Sequence, residues 1–414
     1  MVEWAASDPV PRVAFLFTRY PVLSETFLQR ELDVLQQAGI PHEVYALWPG
    51  DPGHGAGARE SYVLAPWELL LLAFSLPYWL WRRPRALLRF AEALVRGSFQ
   101  SAENLGENLL GIGFALVRAR RLACRVSHFH AVWASAPGAA AWALHELTDL
   151  PYSLSGHAYD LFENGGDALL STKMARASFL RSSTCRGCRR WEALGADPRD
   201  VLLIRRGLPE LPPFAEDRLP AECPRLLAVG RMVEKMGFAY LLRILAALKV
   251  EGIPFRARLI GEGPLREQLQ AEAHRLGLTA RVAFPGALPF AEVEKALAAA
   301  DLFLFTGRVD RRGDRAGFPN AVGEAMAWGV PVAATPAGAV REGIRDRETG
   351  ILLPPDNAPA AAVRLRDYLL DPALRGTCRL AARQWVEENY DARRNLLRLQ
   401  EALYRTSAKP LRSP

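Results

Sequence analysis

Cysteine and lysine are both scarce in this sequence of 414 residues. Its five cysteines are too few and too scattered for a disulfide scaffold, and the pair Cys185–Cys188 has no second Cys or Cys/His pair to complete a zinc site. Only five of the 52 basic residues are lysine, and with 45 acidic residues the net charge is +7. This charge favours phosphates, nucleic acid or an anionic membrane surface as partners and does not choose among them.

The sequence also shows no internal repeats, and its opening residues 1–11, which are short and polar, do not resemble a signal peptide. The expected location is therefore the cytoplasm. The most apolar segment, Leu69–Trp81, is shorter than the roughly 20 residues of a membrane-spanning helix and contains Pro77. Arginines follow it at positions 82, 83, 85 and 89. Residues 67–89 form either an interfacial helix at the inner face of the cell membrane or a helical cover over the first domain, and both interpretations stay open.

Half of the residues are hydrophobic and 23% are charged, which is typical of an ordered globular protein, and the length suggests two or three domains. A strand at 12–18, a helix at Ser24–Gln37 and a strand at His42–Leu47 predict a parallel sheet with crossover helices. The same alternation returns after the proline-rich segment Leu208–Pro224, which we interpret as the linker between two Rossmann-like domains. Residues Ala381–Arg405 predict one arginine-rich closing helix.

Glycine turns follow predicted strands in the second half of the chain. The strand Arg225–Val229 leads into Gly230–Gly237, which places Arg231 and Lys235 at the sheet edge where ligands of such domains bind. The next strand ends in Gly261–Pro264, where small residues let a ligand approach the backbone.

A third turn, Gly317–Asn320, opens a helix predicted over Phe318–Trp328. The N–H groups near its start and the helix dipole favour an anion there. Glu324 lies about one turn further along, where a carboxylate can accept both hydroxyls of a ribose. Together with Arg231 and Lys235, these residues predict a site for a nucleoside diphosphate that needs no metal.

In these motifs the sequence resembles the retaining glycosyltransferases of family 4, which have the GT-B fold. The matching residues are Gly230–Arg231 with Lys235 and Gly237, Gly261–Pro264, Phe284–Gly286, Gly317–Asn320 and Glu324–Thr335. Two further segments, Tyr20–Phe27 and Gly156–Asp160, are similar to the subgroup that builds exopolysaccharides and other envelope glycans.

The resemblance implies an α/β protein of two Rossmann-like domains that face each other across a cleft, with a C-terminal helix that crosses back to the first domain. The expected bounds are 1–212 for the acceptor-binding domain, 213–385 for the nucleotide-sugar domain and 386–414 for the helix. The implied activity transfers a sugar, with retention, from a nucleotide-diphosphate donor to a glycan or lipid-linked acceptor in cell-envelope or exopolysaccharide synthesis. No cofactor, metal or nucleic-acid partner is expected, because the nucleotide sugar is a substrate.

The resemblance also implies roles for individual residues. Arg231 and Lys235 would hold the donor diphosphate, Glu324 would bind the ribose, and His157 would lie near the transferred sugar as a catalytic residue. The rest of the donor site would comprise Gly230, Gly261, Gly263, Pro285, Gly286, Phe318, Pro319, Asn320 and Ala321. The acceptor site would comprise Ser24, Glu25, Thr26, Tyr159 and Asp160.

Two positions depart from the family pattern. Met236 stands where the family usually has lysine, and Ala316 stands where it has the first of two glutamates eight positions apart. Asp314 is near Ala316 in sequence, but its register is unhelpful, so we do not expect it to replace the missing glutamate. Three hypotheses follow: an active glycosyltransferase, a degenerate homologue that binds nucleotide or glycan or supports a partner enzyme, and another GT-B reaction such as epimerisation or hydrolysis of a nucleotide sugar.

Overall fold

A computed structural model describes residues 12–22, 25–51, 61–63, 65–214 and 221–407, which fold into two compact units. The first unit extends to Ile204 and resumes at Leu396, and the second is Arg205–Asn395. The predicted boundaries after residues 212 and 385 both lie inside this second unit. Leu208, at the start of the predicted linker, is buried in the second unit's core.

In the described part of the first unit, seven parallel strands form one sheet in the order β3-β2-β1-β4-β5-β6-β7. The strands are β1 (Val13–Tyr20), β2 (His42–Pro49), β3 (Ser61–Val63), β4 (His128–Ala131), β5 (Tyr152–Ser155), β6 (Leu180–Ser182) and β7 (Val201–Leu203). The helices are α1 (Thr26–Gln37), α2 (Leu72–Arg82), α3 (Pro84–Arg96), α4 (Ala102–Ala123), α5 (Ala136–Thr148), α6 (Tyr159–Phe162), α7 (Leu170–Met174) and α8 (Cys185–Ala193). Helices cover both faces of the sheet, so the first five residues of β1 are all buried and all apolar.

The second unit has a sheet of six parallel strands among its described residues, in the order β10-β9-β8-β11-β12-β13. The strands are β8 (Arg225–Val229), β9 (Arg256–Ile260), β10 (Val282–Gly286), β11 (Leu302–Phe305), β12 (Val332–Ala334) and β13 (Ile351–Leu352). The helices are α9 (Phe238–Val250), α10 (Arg266–Arg275), α11 (Phe290–Ala299), α12 (Asn320–Ala327), α13 (Ala358–Leu370) and α14 (Pro372–Asn389).

The strand order explains where each unit can bind a ligand. Counted from its own first strand, each sheet runs third, second, first, fourth, fifth, sixth, which is the order of the dinucleotide-binding fold, and the first sheet adds a seventh strand at its edge. The chain changes direction between the first and fourth strands, and the loops that leave these two strands open a crevice at the carboxyl edge. In the first sheet this crevice lies between β1 and β4, and in the second between β8 and β11. The prediction of two Rossmann-like domains is confirmed.

The single closing helix predicted over Ala381–Arg405 is wrong. The chain forms α14 and then α15 (Ala392–Ser407), because Tyr390 O and Ala392 N bond to the main chain of Leu208 at 3.0 Å each instead of continuing the helix. The part of α15 from Leu396 onward belongs to the first unit, where Leu399 and Leu403 are fully buried. The prediction that the last helix crosses back to the first domain is confirmed.

The apolar segment predicted as an interfacial helix or a cover contains a 3₁₀ turn, Pro66–Leu71, and α2. Trp79 on α2 is buried and donates to the carbonyl of Leu116 on α4 at 2.8 Å, so one face of α2 does cover the first unit. Among the helices that the structure describes, none has the length and apolarity needed to span a bilayer.

A buried charge cluster fixes the loop after β4. Lys173 on α7 is fully buried, and its ammonium pairs with Asp167 at 2.6 Å and donates to the carbonyls of Ala134 at 2.7 Å and Ser135 at 3.0 Å. Burial lowers the pKa of Lys173, and the carboxylate of Asp167 opposes this shift. Glu107 on α4 faces the same cluster, and burial together with the charge of Asp167 raises the pKa of Glu107 to about 7.

We expect Glu107→Gln to stabilise the protein at high pH. Because the folded-state pKa of Glu107 is raised from 4.5 to about 7, this group's contribution to stability falls as the pH rises through that interval. At about pH 8 the variant should be more stable than the wild type by roughly 1 to 3 kcal/mol in urea unfolding, and below about pH 4 the difference should vanish. Glu103→Gln, at an exposed position on the same helix, is the control. Parallel pH profiles for Glu107→Gln and the wild type would contradict the assignment.

Candidate active site

The loops after β8 and β11 meet at the carboxyl edge of the second sheet. The two strands are neighbours, with Leu227 opposite Phe303, although another crossover separates them in sequence. The loop after β8 carries Arg231 and Lys235, and the loop after β11 leads to the start of α12. Residues that were predicted from separate motifs are therefore brought to one crevice of the fold.

Main-chain contacts hold these loops together. Gly237 has a φ of +70°, and a Cβ there would lie 1.7 Å from the carbonyl oxygen of Thr306, whose hydroxyl donates to the Gly237 carbonyl at 2.9 Å. Gly261, after β9, has a φ of +143°, and a Cβ there would lie 1.9 Å from the carbonyl oxygen of Gly230. Any side chain at either position would separate the loops. The small residues at Gly230 and Gly261 thus let the loops contact each other.

An ion pair joins the loop after β8 to the loop after β11. The Nζ of Lys235 donates to Asp314 Oδ2 at 2.6 Å, and Asp314 Oδ1 accepts the N–H of Arg315 at 2.7 Å. Asp314 is only 7% exposed. The sequence predicts an unhelpful register for Asp314. In the structure the segment is a loop in which Asp310 Oδ1 accepts the N–H of Asp314 at 2.9 Å, and the carboxylate of Asp314 meets Lys235. The Lys235 ammonium keeps two further N–H donors.

Met236 points away from this ion pair. It ends the 3₁₀ turn Glu234–Met236 and packs against both apolar clusters of the second unit. A Cβ on Gly230 would meet its methyl group at 2.3 Å. The side chain at position 236 is therefore part of the packing, and the cation of this turn is supplied by Lys235.

Arg231 and Glu324 differ in exposure. Arg231 is exposed, and within the described ranges no carboxylate forms an ion pair with its guanidinium. Glu324, on α12, is 6% exposed and lies among buried neighbours of its own helix. An exposed guanidinium is available to an incoming anion, whereas a buried carboxylate is held in a fixed position.

Aromatic side chains brace the start of α12. The ring of Phe318 lies 5.0 Å from the ring of Trp385 and 6.2 Å from that of Tyr390. The Tyr390 hydroxyl donates to the carbonyl and side-chain oxygens of Asn320, at 3.3 Å each. Pro319 precedes the helix, which begins at Asn320 rather than at the predicted Phe318.

The N–H groups of Asn320 and Ala321 open α12 and have no partner within the helix, as in any first turn. The chain changes direction between β8 and β11, and this place is the switch point of the second sheet. Arg231 and Lys235 follow β8 on one side of it, and the start of α12 follows β11 on the other. An edge that combines two cations with a helix N-terminus is suited to an anion with several oxygens, such as a diphosphate.

The remaining predicted donor residues follow β9 or end β10. Gly263 lies in the turn after β9, where the N–H of Met232 donates to the carbonyl of Glu262 at 2.8 Å. Pro285 and Gly286, expected in a loop that contacts the base, are the last residues of β10. The carbonyl of Gly286 accepts the N–H of Gly261 at 2.9 Å, so these two turns are joined as well.

In the first unit, the predicted residues lie among the loops that follow β4, β5 and β6. His157 is 4% exposed, its Nδ1 lies 3.3 Å from the hydroxyl of Ser183, and its ring lies 5.3 Å from that of Trp133. The hydroxyl of Tyr159 lies 2.8 Å from that of Ser135. The histidine is thus fixed by polar and aromatic neighbours at the carboxyl edge of its sheet.

Asp160 is almost completely buried, and main-chain groups occupy its oxygens. It accepts the N–H groups of Ala134 at 3.0 Å, His157 at 3.0 Å and Ala158 at 2.9 Å. Burial raises the pKa of Asp160, and these three N–H groups oppose the shift. These contacts favour a role in which Asp160 positions His157. They do not favour the predicted role, in which Asp160 contacts the acceptor.

The predicted acceptor residues near the first strand lie at the start of α1. Glu25 is the residue before the helix and is half-buried, and Thr26 is the first helical residue, while Ser24 lies outside the described residues. The helix is fixed to the sheet by Glu31, which accepts from Arg181 on β6 at 2.9 Å. Arg181 is itself 2% exposed, so the position of α1 is set from within the core.

Several residues of these two edges are absent from the sequence-based prediction: Trp133, Ser135, Ser183 and Asp314. The first three follow the ends of β4 and β6 closely, so their position after a strand is the signal that could have found them. Asp314 carries no such signal, because it is brought to Lys235 by a loop without periodicity.

Comparison with known proteins agrees with this architecture. The family described as glycosyl transferases group 1 matches residues 223–371. These residues include the candidate donor edge, which is the carboxyl edge of the second sheet with Arg231, Lys235 and the start of α12. The putative colanic acid biosynthesis glycosyltransferase WcaL of Escherichia coli is 26% identical over 426 residues, which cover 95% of this chain and 100% of that protein. The similarity therefore extends over both units.

Solved structures show the same fold. Sucrose-phosphate synthase from Thermosynechococcus elongatus has a TM-score of 0.70 at 18% identity and covers 95% of this chain and 98% of its own. HepE from Anabaena, in complex with UDP and glucose, has a TM-score of 0.63 at 16% identity, with coverages of 95% and 99%. The two doubly wound sheets and the returning C-terminal helix are those of the GT-B fold. Residues 223–371 thus match the group 1 glycosyltransferases, and over nearly its whole length the chain is similar in sequence to a glycosyltransferase of colanic acid biosynthesis and in fold to GT-B enzymes.

Proposed function

We propose that the protein transfers a sugar from a nucleoside diphosphate sugar to a glycan or lipid-linked acceptor, with retention, in exopolysaccharide or cell-envelope synthesis. The observation that carries the proposal is the combination of Arg231, the Lys235–Asp314 pair and the start of α12 at the switch point of the second sheet. The similarity to WcaL over nearly the whole chain supports the polymer class. We infer that the reaction takes place in the cytoplasm, at the inner face of the cell membrane.

The proposed chemistry depends on charge that develops when the sugar leaves. Negative charge then accumulates on the distal phosphate, where Arg231, the two remaining N–H donors of Lys235 and the first N–H groups of α12 stabilise it. Such groups contribute several kcal/mol when they are fixed before the reaction. The leaving phosphate accepts the proton of the acceptor hydroxyl on the same face of the sugar, which gives retention. Glu324 accepts the ribose hydroxyls.

The edge of the first unit is assigned to the acceptor and the reacting sugar. His157, with Trp133 and Tyr159 beside it, presents aromatic and polar groups of the kind that contact sugar rings. Glu25 and Thr26 lie at the start of α1 in the crevice of the same sheet. Because HepE was solved with UDP, UDP-sugars are the donors to test first, with GDP- and ADP-sugars next.

The alternative is a degenerate homologue that binds its ligand without turnover. The observation in its favour is that Met236 is packed inward and Ala316 has no carboxylate. It predicts donor binding by calorimetry with no product on any acceptor, and turnover only after Met236→Lys is combined with Ala316→Glu. A third outcome, nucleotide release without an acceptor, would indicate hydrolysis or epimerisation.

We expect Arg231→Ala and Glu324→Ala each to abolish most of the donor-dependent transfer. For Arg231, loss of a group that stabilises the leaving phosphate typically lowers kcat by about a hundredfold to a thousandfold. For Glu324, loss of the ribose contact should act mainly by raising the donor KM, which lowers transfer at a donor concentration below KM. Transfer is measured as the product formed from a radiolabelled nucleotide sugar, with membrane lipid extracts as the source of acceptor. Arg258→Ala and Glu267→Ala, which change exposed residues of the same unit, are the matched controls and should transfer normally. Unchanged transfer in both Arg231→Ala and Glu324→Ala would overturn the proposed donor site.

The Lys235–Asp314 pair gives a second prediction. Lys235→Ala should lower kcat/KM for the donor by about a hundredfold, because it removes a fixed cation. Asp314→Asn keeps the ammonium but no longer holds it in place, so the donor KM should rise more than kcat falls. Lys295→Ala removes another lysine that pairs with a carboxylate at 2.7 Å, in this case an exposed pair on α11, and should have no effect. Equal kinetics for Lys235→Ala and Lys295→Ala would show that the pair is only structural.

A further inference from the structure

Helix α2 is apolar on the side that faces away from the protein. Trp79 points inward and is 4% exposed, whereas Phe74 and Trp81, on the opposite side of the helix, are 78% and 80% exposed. Pro77 lies between them on the same face at helical spacing. A helix that is apolar all round belongs in a protein core or a membrane, and α2 has only one side in the core.

The 3₁₀ turn before α2 extends the same exposure. Trp67 is 63% exposed and Leu70 is 75% exposed, although the turn itself is anchored by Glu68, which accepts two bonds from Arg118 at 2.5 and 2.6 Å. A cluster of large exposed apolar side chains typically marks an interaction site, whereas single exposed apolar residues need no such explanation.

Arginines accompany this apolar face. A groove of about 720 Å³ runs beside α2, and it is lined by Phe74 and Tyr78 together with four arginines: Arg82, Arg83, Arg120 and Arg121. The described residues that line the groove include no carboxylate. Arg120 lies over the ring of Tyr78, 4.8 Å from its centroid, so aromatic and cationic groups are interleaved.

We propose that α2 and the turn before it dock on the surface of a bilayer that contains anionic phospholipids. The α2 surface is defined by Trp67, Leu70, Phe74 and Trp81, with Arg82 and Arg120 beside them. The apolar side chains would enter the interface between headgroups and acyl chains, and the arginines would bind lipid phosphates. At eleven residues α2 is too short to span, so it lies in the plane of the membrane.

Charge favours a bilayer over the other occupants of such a face. A second copy of this chain, docked through a twofold axis, would bring Arg82 and Arg120 of both copies together, and the described residues that line the groove offer no carboxylate to offset them. Asp149, beside the groove, is already paired with Arg83. An anionic lipid surface supplies many phosphates at once and accepts apolar side chains of any shape. The inference goes beyond the proposed sugar transfer and does not depend on the donor site, since it concerns helices of the first unit only.

Flotation of the full-length protein with vesicles tests the proposal. We expect the wild type to float with vesicles of phosphatidylcholine containing one-third phosphatidylglycerol, and to bind far less to phosphatidylcholine alone. Phe74→Ser with Trp81→Ser should weaken binding at least about tenfold, because two aromatic side chains leave the interface. Arg82→Gln with Arg120→Gln should weaken binding to the anionic vesicles about thirtyfold.

The matched controls remove exposed apolar side chains and exposed arginines outside the α2 surface. Leu370→Ser with Leu380→Ser changes two exposed apolar residues of the second unit, which are 66% and 60% exposed, and Arg189→Gln with Arg243→Gln changes two exposed arginines. Both should bind like the wild type, and circular dichroism should show all variants folded. Wild-type protein that stays with the aqueous phase would overturn the proposal. So would equal binding by the Phe74/Trp81 variant, or a dimer in solution that this variant abolishes.

Discussion

Backbone contact between loops is the constraint on which the candidate donor edge depends. Gly237 meets the carbonyl of Thr306 and Gly261 meets that of Gly230, so the loops after β8, β9 and β11 touch with no side chain between them. The Lys235–Asp314 pair joins the first and third of these loops at their outer side. The cations and the start of α12 are therefore set in place before a ligand arrives. Preorganisation of this kind is what makes a charged group effective when charge develops in a transition state.

The scarcity of lysine fits this arrangement. Lys173 is fully buried on Asp167 and two carbonyls, and Lys235 is paired with the buried Asp314. The compact ammonium of Lys173 donates to three acceptors around it, whereas that of Lys235 donates to Asp314 and keeps two N–H donors for a ligand. Many arginines instead form exposed pairs or lie beside apolar groups, as Arg82 and Arg120 do along α2, although Arg181 is buried against Glu31.

The sequence was sufficient to predict the fold and to name candidate site residues at the strand ends, and it failed where tertiary contacts decide. Strand and helix periodicity predicted the alternation in both units, because parallel strands are buried on both faces. Periodicity could not show the break at Tyr390, which depends on main-chain bonds to the distant Leu208, or the buried cluster around Lys173. The role of Asp314 was missed because a loop has no register. Of the two interpretations of residues 67–89, the cover describes the inner face of α2, which packs on the first unit, whereas the interfacial helix stays a prediction for the exposed outer face.

The edge formed by Arg231, Lys235 and the start of α12 is proposed to bind a nucleoside diphosphate sugar, and the sugar-transfer reaction depends on this binding. Thermal unfolding in the presence of UDP-, GDP- and ADP-sugars measures this binding, because a ligand that binds the folded state raises the free energy of unfolding by RT ln(1 + [L]/Kd) and so raises the melting temperature. We expect at least one donor to raise the melting temperature of the wild type in a concentration-dependent manner, and Arg231→Ala to lose this shift. The absence of a shift with every donor, or an equal shift in Arg231→Ala, would contradict it.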